Sequence, residues 1–316
     1  LKKFIHWLKM KFKKPKFWDY KTKSLASIIL FPLSVIYKFI FWILKILTSI
    51  KNQNSTIPII CVGNIYLGGT GKTPLVIEIY KILKSFGKNP AFIKKNYNYL
   101  YDEIRMLEKT GKVYTNQKRY DGILLSASNK HDVAILDDGF QDFSIKPDFS
   151  IICFNSKQMI GNGQLIPSGP LRENLNAIRR ADCVVINGDK NSYLEEKILL
   201  IKRNIHIFYT NYKIKNIKKF QGKKITAFAG IGNPINFFEL LKKNKLDLVK
   251  TYAFPDHHYY SNNDFKIITK ETSNLLVTTE KDFSRMSKEH REKCDVVEVT
   301  LEIKNEQKFK ELINSY

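Results

Sequence analysis

Ile57-Pro58-Ile59-Ile60-Cys61-Val62-Gly63-Asn64 is followed within a few residues by Gly68-Gly69-Thr70-Gly71-Lys72-Thr73-Pro74, and then by Leu75-Val76-Ile77-Glu78-Ile79-Tyr80-Lys81-Ile82-Leu83. A short apolar run ending at Gly-Asn reads as a buried parallel strand, and the apolar spacing of the last segment reads as a helix. Strand, glycine-rich loop and helix in this order match a P-loop. The residue types answer to the chemistry. Glycines let backbone N–H groups approach phosphate oxygens, and the helix N-terminus adds positive potential. Tyr66, Leu67, Gly68, Gly69, Thr70, Gly71, Lys72 and Thr73 are therefore the candidate nucleotide-binding residues. Lys72 is placed to reach the β- and γ-phosphates, and Thr73 to ligate Mg²⁺. The usual spacing GxxxxGK[ST] puts its first glycine at position 66, which is Tyr66 here.

A second half of such a site follows. Asp132-Val133-Ala134-Ile135-Leu136 reads as a buried strand and ends in Asp137-Asp138-Gly139-Phe140-Gln141. An acid at the carboxyl end of a strand beside the P-loop can hold Mg²⁺ directly or through water. Neighbours on an extended chain point to opposite sides. Asp137 and Asp138 are thus candidates for one ligand and one orienting group. The two motifs together read as an ATP- and Mg²⁺-using enzyme. Thr279-Glu280-Lys281-Asp282 has the wrong order for guanine recognition, which disfavours a GTPase.

Composition narrows the rest. The 316 residues carry 53 Lys+Arg against 30 Asp+Glu, with 43% hydrophobic residues, which excludes a disordered chain or a collagen-like repeat. The net charge of +23 comes mainly from lysine, 45 against 8 arginines. With no recognition motif present, no nucleic-acid partner is expected. Cys61, Cys153, Cys183 and Cys294 are scattered without a CxxC pair and read as buried thiols of a reducing compartment.

Residues 1–51 hold twelve lysines and a single acid, Asp19, and include the apolar stretch Leu25 to Leu44 with Lys38 as its one charge. Its length suffices to cross a bilayer. Pro32 disfavours helix at Phe31, so a clean helix is expected from about Pro32 towards Ile50. Ser34, Lys38, Lys45 and Asn52 then fall on one stripe opposite Ile36, Phe39, Ile40 and Ile43, which suits a helix lying in the interface with its lysines at the headgroups. Trp7, Trp18, Tyr20 and Trp42 are candidates for headgroup depth. No small-residue cleavage site follows, which disfavours a signal peptide. The segment reads as an anchor on an anionic, cytoplasm-facing membrane surface, spanning or lying flat.

The expected architecture is α/β: a P-loop α/β/α domain plus a smaller C-terminal α/β domain, preceded by the membrane-anchoring helix. The divisions are 1–51, 52–215 and 216–316. Ile151 to Phe154, Cys183 to Asn187, Lys224 to Ala229 and Asn274 to Thr278 supply further strands, and lysine-rich Tyr212 to Lys224 reads as a linker.

On its motifs, the chain resembles the tetraacyldisaccharide 4′-kinase family. The match includes Phe31-Pro32-Leu33-Ser34, the P-loop without its first glycine, Asp137 to Gln141, Gly161-Asn162-Gly163 and Leu165 to Glu173 with its Gly169-Pro170-Leu171-Arg172-Glu173 string. It continues through Phe228 to Pro234, Phe254-Pro255-Asp256-His257-His258 and Thr279 to Asp282. The resemblance implies transfer of the ATP γ-phosphoryl group to the 4′-hydroxyl of an acylated disaccharide lipid, giving lipid IVA in lipid A biosynthesis. It also implies a place on the cytoplasmic face of the bacterial inner membrane. It makes Asp102 and His257 the pair that deprotonates the sugar hydroxyl, with His258 and Asp256 as lesser candidates. Arg172, with Lys72, becomes a candidate clamp on transition-state charge. The expected site would lie between the two domains and need their closure. One stretch departs from the family pattern. Lys95-Asn96-Tyr97 and Tyr101-Asp102-Glu103-Ile104 replace an Arg-Gly-Tyr string, a longer loop and Gly-Asp-Glu-Pro. The alternative functions are a membrane-associated nucleotide switch and a kinase for another acceptor.

Overall fold

The computed structural model describes residues 14–20, 22–49, 53–96, 101–256, 258–270 and 274–316, with the side chains of Tyr101 and Asp102 outside that set. His257 and Trp7 likewise lie outside the described residues.

β1 (Ile59–Gly63) is buried at every position, as the apolar run requires of a strand covered on both faces. It is followed by the P-loop and α2 (Lys72–Ser85), while α1 (Leu25–Ser49) precedes it. Next in the chain come β2 (Pro90–Lys95), α3 (Tyr101–Glu108), β3 (Val113–Asn116), α4 (Arg119–Ser128) and β4 (Val133–Asp137). They are followed by β5 (Phe149–Asn155), β6 (Cys183–Asn187), α5 (Ser192–Ile201) and β7 (His206–Ile214). The chain continues through β8 (Lys224–Ala229), α6 (Pro234–Lys243), β9 (Asp247–Ala253), α7 (Asn262–Thr269) and β10 (Leu275–Thr279). Two short helices, α8 (Glu280–Ser284) and α9 (Lys288–Glu292), then β11 (Asp295–Val297), β12 (Val299–Ile303) and α10 (Glu306–Asn314) complete it.

The strands form an eight-stranded sheet, ordered β12-β7-β6-β5-β1-β4-β2-β3, and a four-stranded sheet, ordered β11-β10-β8-β9. β1 pairs in parallel with β4 and β5, so the P-loop leaves the centre of the larger sheet and Asp137 ends the adjacent strand. Ligands of open α/β sheets bind beyond such carboxyl ends.

The chain divides into two units, Pro15–Asn211 with Leu301–Tyr316, and Tyr212–Thr300. The larger unit has its core around Ile59, Leu136, Ile152, Phe154 and Ile186. The smaller is centred on Phe220, Ile225, Ala227, Phe237 and Leu241. This division differs from the expected one in three places, the first being that residues 15–51 belong to the larger unit and do not form a division of their own. Residues 301–316 join the larger unit, where Phe309 packs edge-on against Phe208 and Tyr316 lies against Phe149. The lysine-rich stretch from Tyr212 is not a free linker either. Ile214 and Phe220 are buried in the smaller unit's core, and of the exposed lysines between them Lys219 pairs with Asp295.

α1 also departs from the expectation. It begins at Leu25, with Pro32 inside it. The helix persists through the proline because hydrogen bonds hold it on both sides. Ser27 Oγ donates to Ser168 O (2.8 Å) and Ser168 Oγ to Ser27 O (2.6 Å). Two residues beyond the proline, Ser34 Oγ donates to Leu165 O (2.9 Å) and accepts from Ser168 N (3.0 Å). Tyr37 OH donates to Arg172 O (2.9 Å), and Lys45 lies over the Phe143 ring. Of the polar stripe predicted from the sequence, Ser34 and Lys45 meet protein, Lys38 is exposed, and Asn52 lies outside the described residues. The opposite face, with Ile36, Phe39, Ile40, Trp42 and Ile43, is exposed. By length and composition α1 can cross a membrane. Trp18 is buried, its indole N–H donating to Pro167 O (3.0 Å), and so does not sit at a membrane interface.

Three thiols, Cys61, Cys153 and Cys183, are buried, and Cys294 is half-buried. Burial pushes Cys61 and Cys153 up to about 12.

Candidate active site

The P-loop is braced from within. Asn64 Nδ2 donates to Tyr66 O (2.6 Å), Thr70 Oγ1 (3.0 Å) and Gly68 O (3.3 Å). Gly71 caps α2 at φ 89°, a left-handed conformation that a side chain would strain. Gly63 is needed for a different reason. A Cβ there would stand 2.4 Å from Phe140 Cβ.

Tyr66, in the place of the usual first glycine, is wholly buried and donates its hydroxyl to Asp19 Oδ1 (2.6 Å). Its backbone bridges Leu171, while Leu67 N donates to Pro170 O (2.8 Å) and Arg172 N to Ile65 O (2.7 Å). The loop that a glycine would leave free is thus laced to the Gly169–Glu173 segment.

Asp137 and Asp138 meet different partners, although Asp138 lies past the end of β4 and not on the extended chain that the sequence reading assumed. Asp137 lies 1% exposed at the end of β4. Its Oδ2 stands 3.4 Å from Thr73 Oγ1 and is ion-paired with the Lys94 ammonium. Its Oδ1 is buried and lacks a hydrogen-bond partner. Asp138 takes a left-handed conformation, φ 58°. Its carboxylate accepts from Arg172 Nη1 (3.0 and 3.1 Å) and lies 3.5 Å from Lys72 Nζ. Burial alone would raise the Asp138 pKa. The Lys72 and Arg172 cations outweigh it and hold the carboxyl well below the usual carboxylate range.

Four further residues belong to this cluster: Gln141 and Glu173 stood in the quoted strings without a role, and Arg119 and Lys94 were not picked out from the sequence. Arg119, first residue of α4, donates to Asp138 O (2.8 Å) and Asp142 Oδ2 (3.0 Å) and so fixes the turn after β4. Gln141 Nε2 donates to Asn64 O (2.9 Å) and Glu173 Oε1 (3.1 Å), tying the P-loop to the Arg172 segment. Glu173 is also held by Arg180. Lys94, 2% exposed, bridges Asp137 and Glu103, the latter at 2.8 Å. Burial alone would lower the ammonium's pKa, but the two carboxylates more than reverse this and keep it charged. The pair Lys94-Lys95 at the end of an otherwise apolar strand, Pro90-Ala91-Phe92-Ile93, was the available signal for Lys94.

Of the residues expected to act, Lys72, Thr73, Asp137, Asp138 and Arg172 come together in the larger unit. Asp102 lies in the first turn of α3. In the smaller unit, His258 Nε2 lies 3.1 Å from Asp264 Oδ2 with its ring stacked on Phe254, and Asp256 lies 3.8 Å from Lys281 Nζ. Asp282, wholly buried, accepts from Thr279 Oγ1 (2.7 Å), Tyr260 OH (2.9 Å) and Gly230 N (3.0 Å). The Gly230–Pro234 and Thr279–Asp282 strings therefore share a structural centre.

The family described as Tetraacyldisaccharide-1-P 4'-kinase matches residues 26–101 and 96–316. The chain belongs to this kinase family. A tetraacyldisaccharide 4'-kinase from Pelagibacter ubique is 43% identical over 303 residues, covering 94% of this chain and 96% of the relative. That from Bradyrhizobium diazoefficiens is 32% identical, covering 96% of each chain. The solved kinase from Aquifex aeolicus, in complex with ATP, superposes with a TM-score of 0.73 at 25% identity, covering 92% of this chain and 99% of its own. Tetraacyldisaccharide 4'-kinases act in lipid A biosynthesis, and the P-loop fold found here is the family's own.

Proposed function

We propose that this chain binds ATP and transfers its γ-phosphoryl group to the 4′-hydroxyl of a tetraacyldisaccharide 1-phosphate, at the cytoplasmic face of the bacterial inner membrane. One residue carries the reading. Arg172 pairs through its guanidinium with Asp138 beside Lys72, and gives its backbone carbonyl to Tyr37 on the exposed apolar helix. The phosphate-handling groups and the surface suited to lipid are thus joined within one loop.

The P-loop backbone N–H groups and Lys72 suit the ATP phosphates. Lys72 is kept near by Asp138 until phosphate displaces that partner. Thr73 Oγ1 and Asp137 supply the hard oxygen donors that Mg²⁺ prefers, and the unpartnered Asp137 Oδ1 is a lone-pair site ready for such a ligand or its water. Mg²⁺, when bound, neutralises charge on the phosphate oxygens. Arg172, oriented by Asp138 and Gln141, offers a rigid fork to charge developing on the transferred group. Asp102 and His257 are assigned as the pair that takes the sugar hydroxyl's proton. An acylated acceptor stays in the bilayer, so the exposed face of α1 brings the enzyme to it, with flanking lysines adding attraction to anionic lipid.

The test is transfer of radiolabelled γ-phosphate from ATP and Mg²⁺ to tetraacyldisaccharide 1-phosphate in detergent micelles. The parent should form product, and Lys72→Ala and Asp102→Ala should each lose roughly a hundredfold or more in rate. Activity surviving in Asp102→Ala moves the base elsewhere. A folded, ATP-binding parent that transfers nothing rejects the lipid kinase reading in favour of a nucleotide switch or another acceptor.

A further inference from the structure

We infer that Lys94 is a positioning residue, an internal cation that ties the helix bearing Asp102 to the phosphate end of the site. This rests on the kinase reading for its meaning, though not for its geometry. Lys94 and Asp137 are 2% and 1% exposed, whereas Glu103 is 22% exposed. The register of the sheet makes the meeting unavoidable. Ile93 pairs with Leu136 in the parallel ladder between β2 and β4, which sets Lys94 alongside Asp137. Glu103 then closes the bridge from α3.

α3 has only eight residues, too few to hold a helix without tertiary contacts. Leu107, wholly buried, fixes its second turn. Glu103 stands one turn earlier on the same face, next in sequence to Asp102, and Lys94 fixes it. The helix therefore has an apolar attachment at one end and an ionic one at the other. The ionic attachment ends on the carboxylate that faces Thr73 of the P-loop. Asp102 is thereby referred to the nucleotide end of the site through two side chains. This is the stretch where the sequence departs from the Arg-Gly-Tyr and Gly-Asp-Glu-Pro strings, and the bridge closes there through Glu103, the neighbour of Asp102.

The test compares full-length parent, Lys94→Met, Lys94→Arg, Glu103→Gln and the Lys94→Met/Glu103→Gln double variant. Hydrogen exchange of peptides covering 101–108 should quicken by about tenfold in Glu103→Gln and Lys94→Met, with the P-loop helix unchanged in Glu103→Gln. Rate at saturating substrates should fall about tenfold or more in both, while the KM for ATP in Glu103→Gln stays within about threefold of parent. Lys94→Arg should recover part of the loss, and the double variant should be no worse than Lys94→Met alone. Exchange across 101–108 unchanged in Glu103→Gln, or losses that add in the double variant, would overturn the inference. Glu103→Gln carries the test if Lys94→Met fails to fold. A parent that phosphorylates no lipid rejects the kinase reading, and the exchange measurement still decides the tether.

Discussion

Asp138 sits at the meeting of Lys72, Arg172 and, through its carbonyl, Arg119. Its carboxyl is held below the usual range by the first two. A carboxylate depressed in the folded state adds stability above its unfolded pKa of about 4, and that contribution fades as pH falls towards the folded value. The nucleotide-free parent should therefore be more stable than Asp138→Asn above about pH 5, with the gap shrinking steadily below about pH 4. Denaturant titrations across pH measure it, and a gap independent of pH would remove the assigned charge role. Asp138 was legible in the sequence because acid, acid and glycine after an apolar run mark a strand end. Lys94 was not, since a lysine in a strand reveals its partners only through the register of β2 against β4. Arg119 was hidden for the same reason, and Gln141 stood in a quoted string without a role, each being defined by what a distant segment brings to it.

At the scale of elements, α1 has two faces with different tasks. Ser27 and Ser34 are buried against the Leu165–Ser168 segment, while the apolar side is open. Ser34→Ala removes one donor and one acceptor contact, including the partner of Ser168 N, and should cost about 1–3 kcal/mol of stability by denaturant midpoint. Ile36→Gln, Phe39→Gln and Ile43→Gln together should leave that midpoint nearly unchanged but reduce sedimentation with anionic vesicles by about tenfold or more. Loss of folding without loss of vesicle binding would reverse the assignment of faces. The helical period was readable from the residues, but the start was not, because Pro32 lies inside the helix and not at its first turn. Nor was the direction of the polar stripe, because serine and lysine satisfy water, headgroups or protein carbonyls alike. Only the Ser168 loop decides among them.

The whole molecule is built from two units with separate cores, and its strand runs placed half of each sheet in advance, β1, β4, β5 and β6 of the larger and β8 and β10 of the smaller. The sequence reading divides the domains at 215/216 on a lysine-rich stretch, and the structure's smaller unit takes in that stretch from Tyr212. The return of residues 301–316 to the larger unit was not legible, because edge-strand pairing leaves little mark on a short mixed sequence. Asp282 shows how one buried group supports a unit. Asp282→Ala strips the acceptor from Gly230 N, Tyr260 OH and Thr279 Oγ1 and should destabilise residues 212–300 by about 3–5 kcal/mol. Limited proteolysis should then cut that region first while fragments containing β1 to β6 persist. Equal susceptibility throughout would mean that the units do not unfold separately.

The place of β12 and α10 in the larger unit has a consequence for biogenesis. Chains emerging from a ribosome fold in segments as they appear. Residues 212–300 can close around their own core while the sheet containing the P-loop still lacks its β12 edge and the Phe309 cover over Phe208. The later-made unit is then finished before the earlier one. During translation, the nucleotide-handling unit is the part left with an unpaired strand edge and an uncovered aromatic, and so the part most in need of a chaperone.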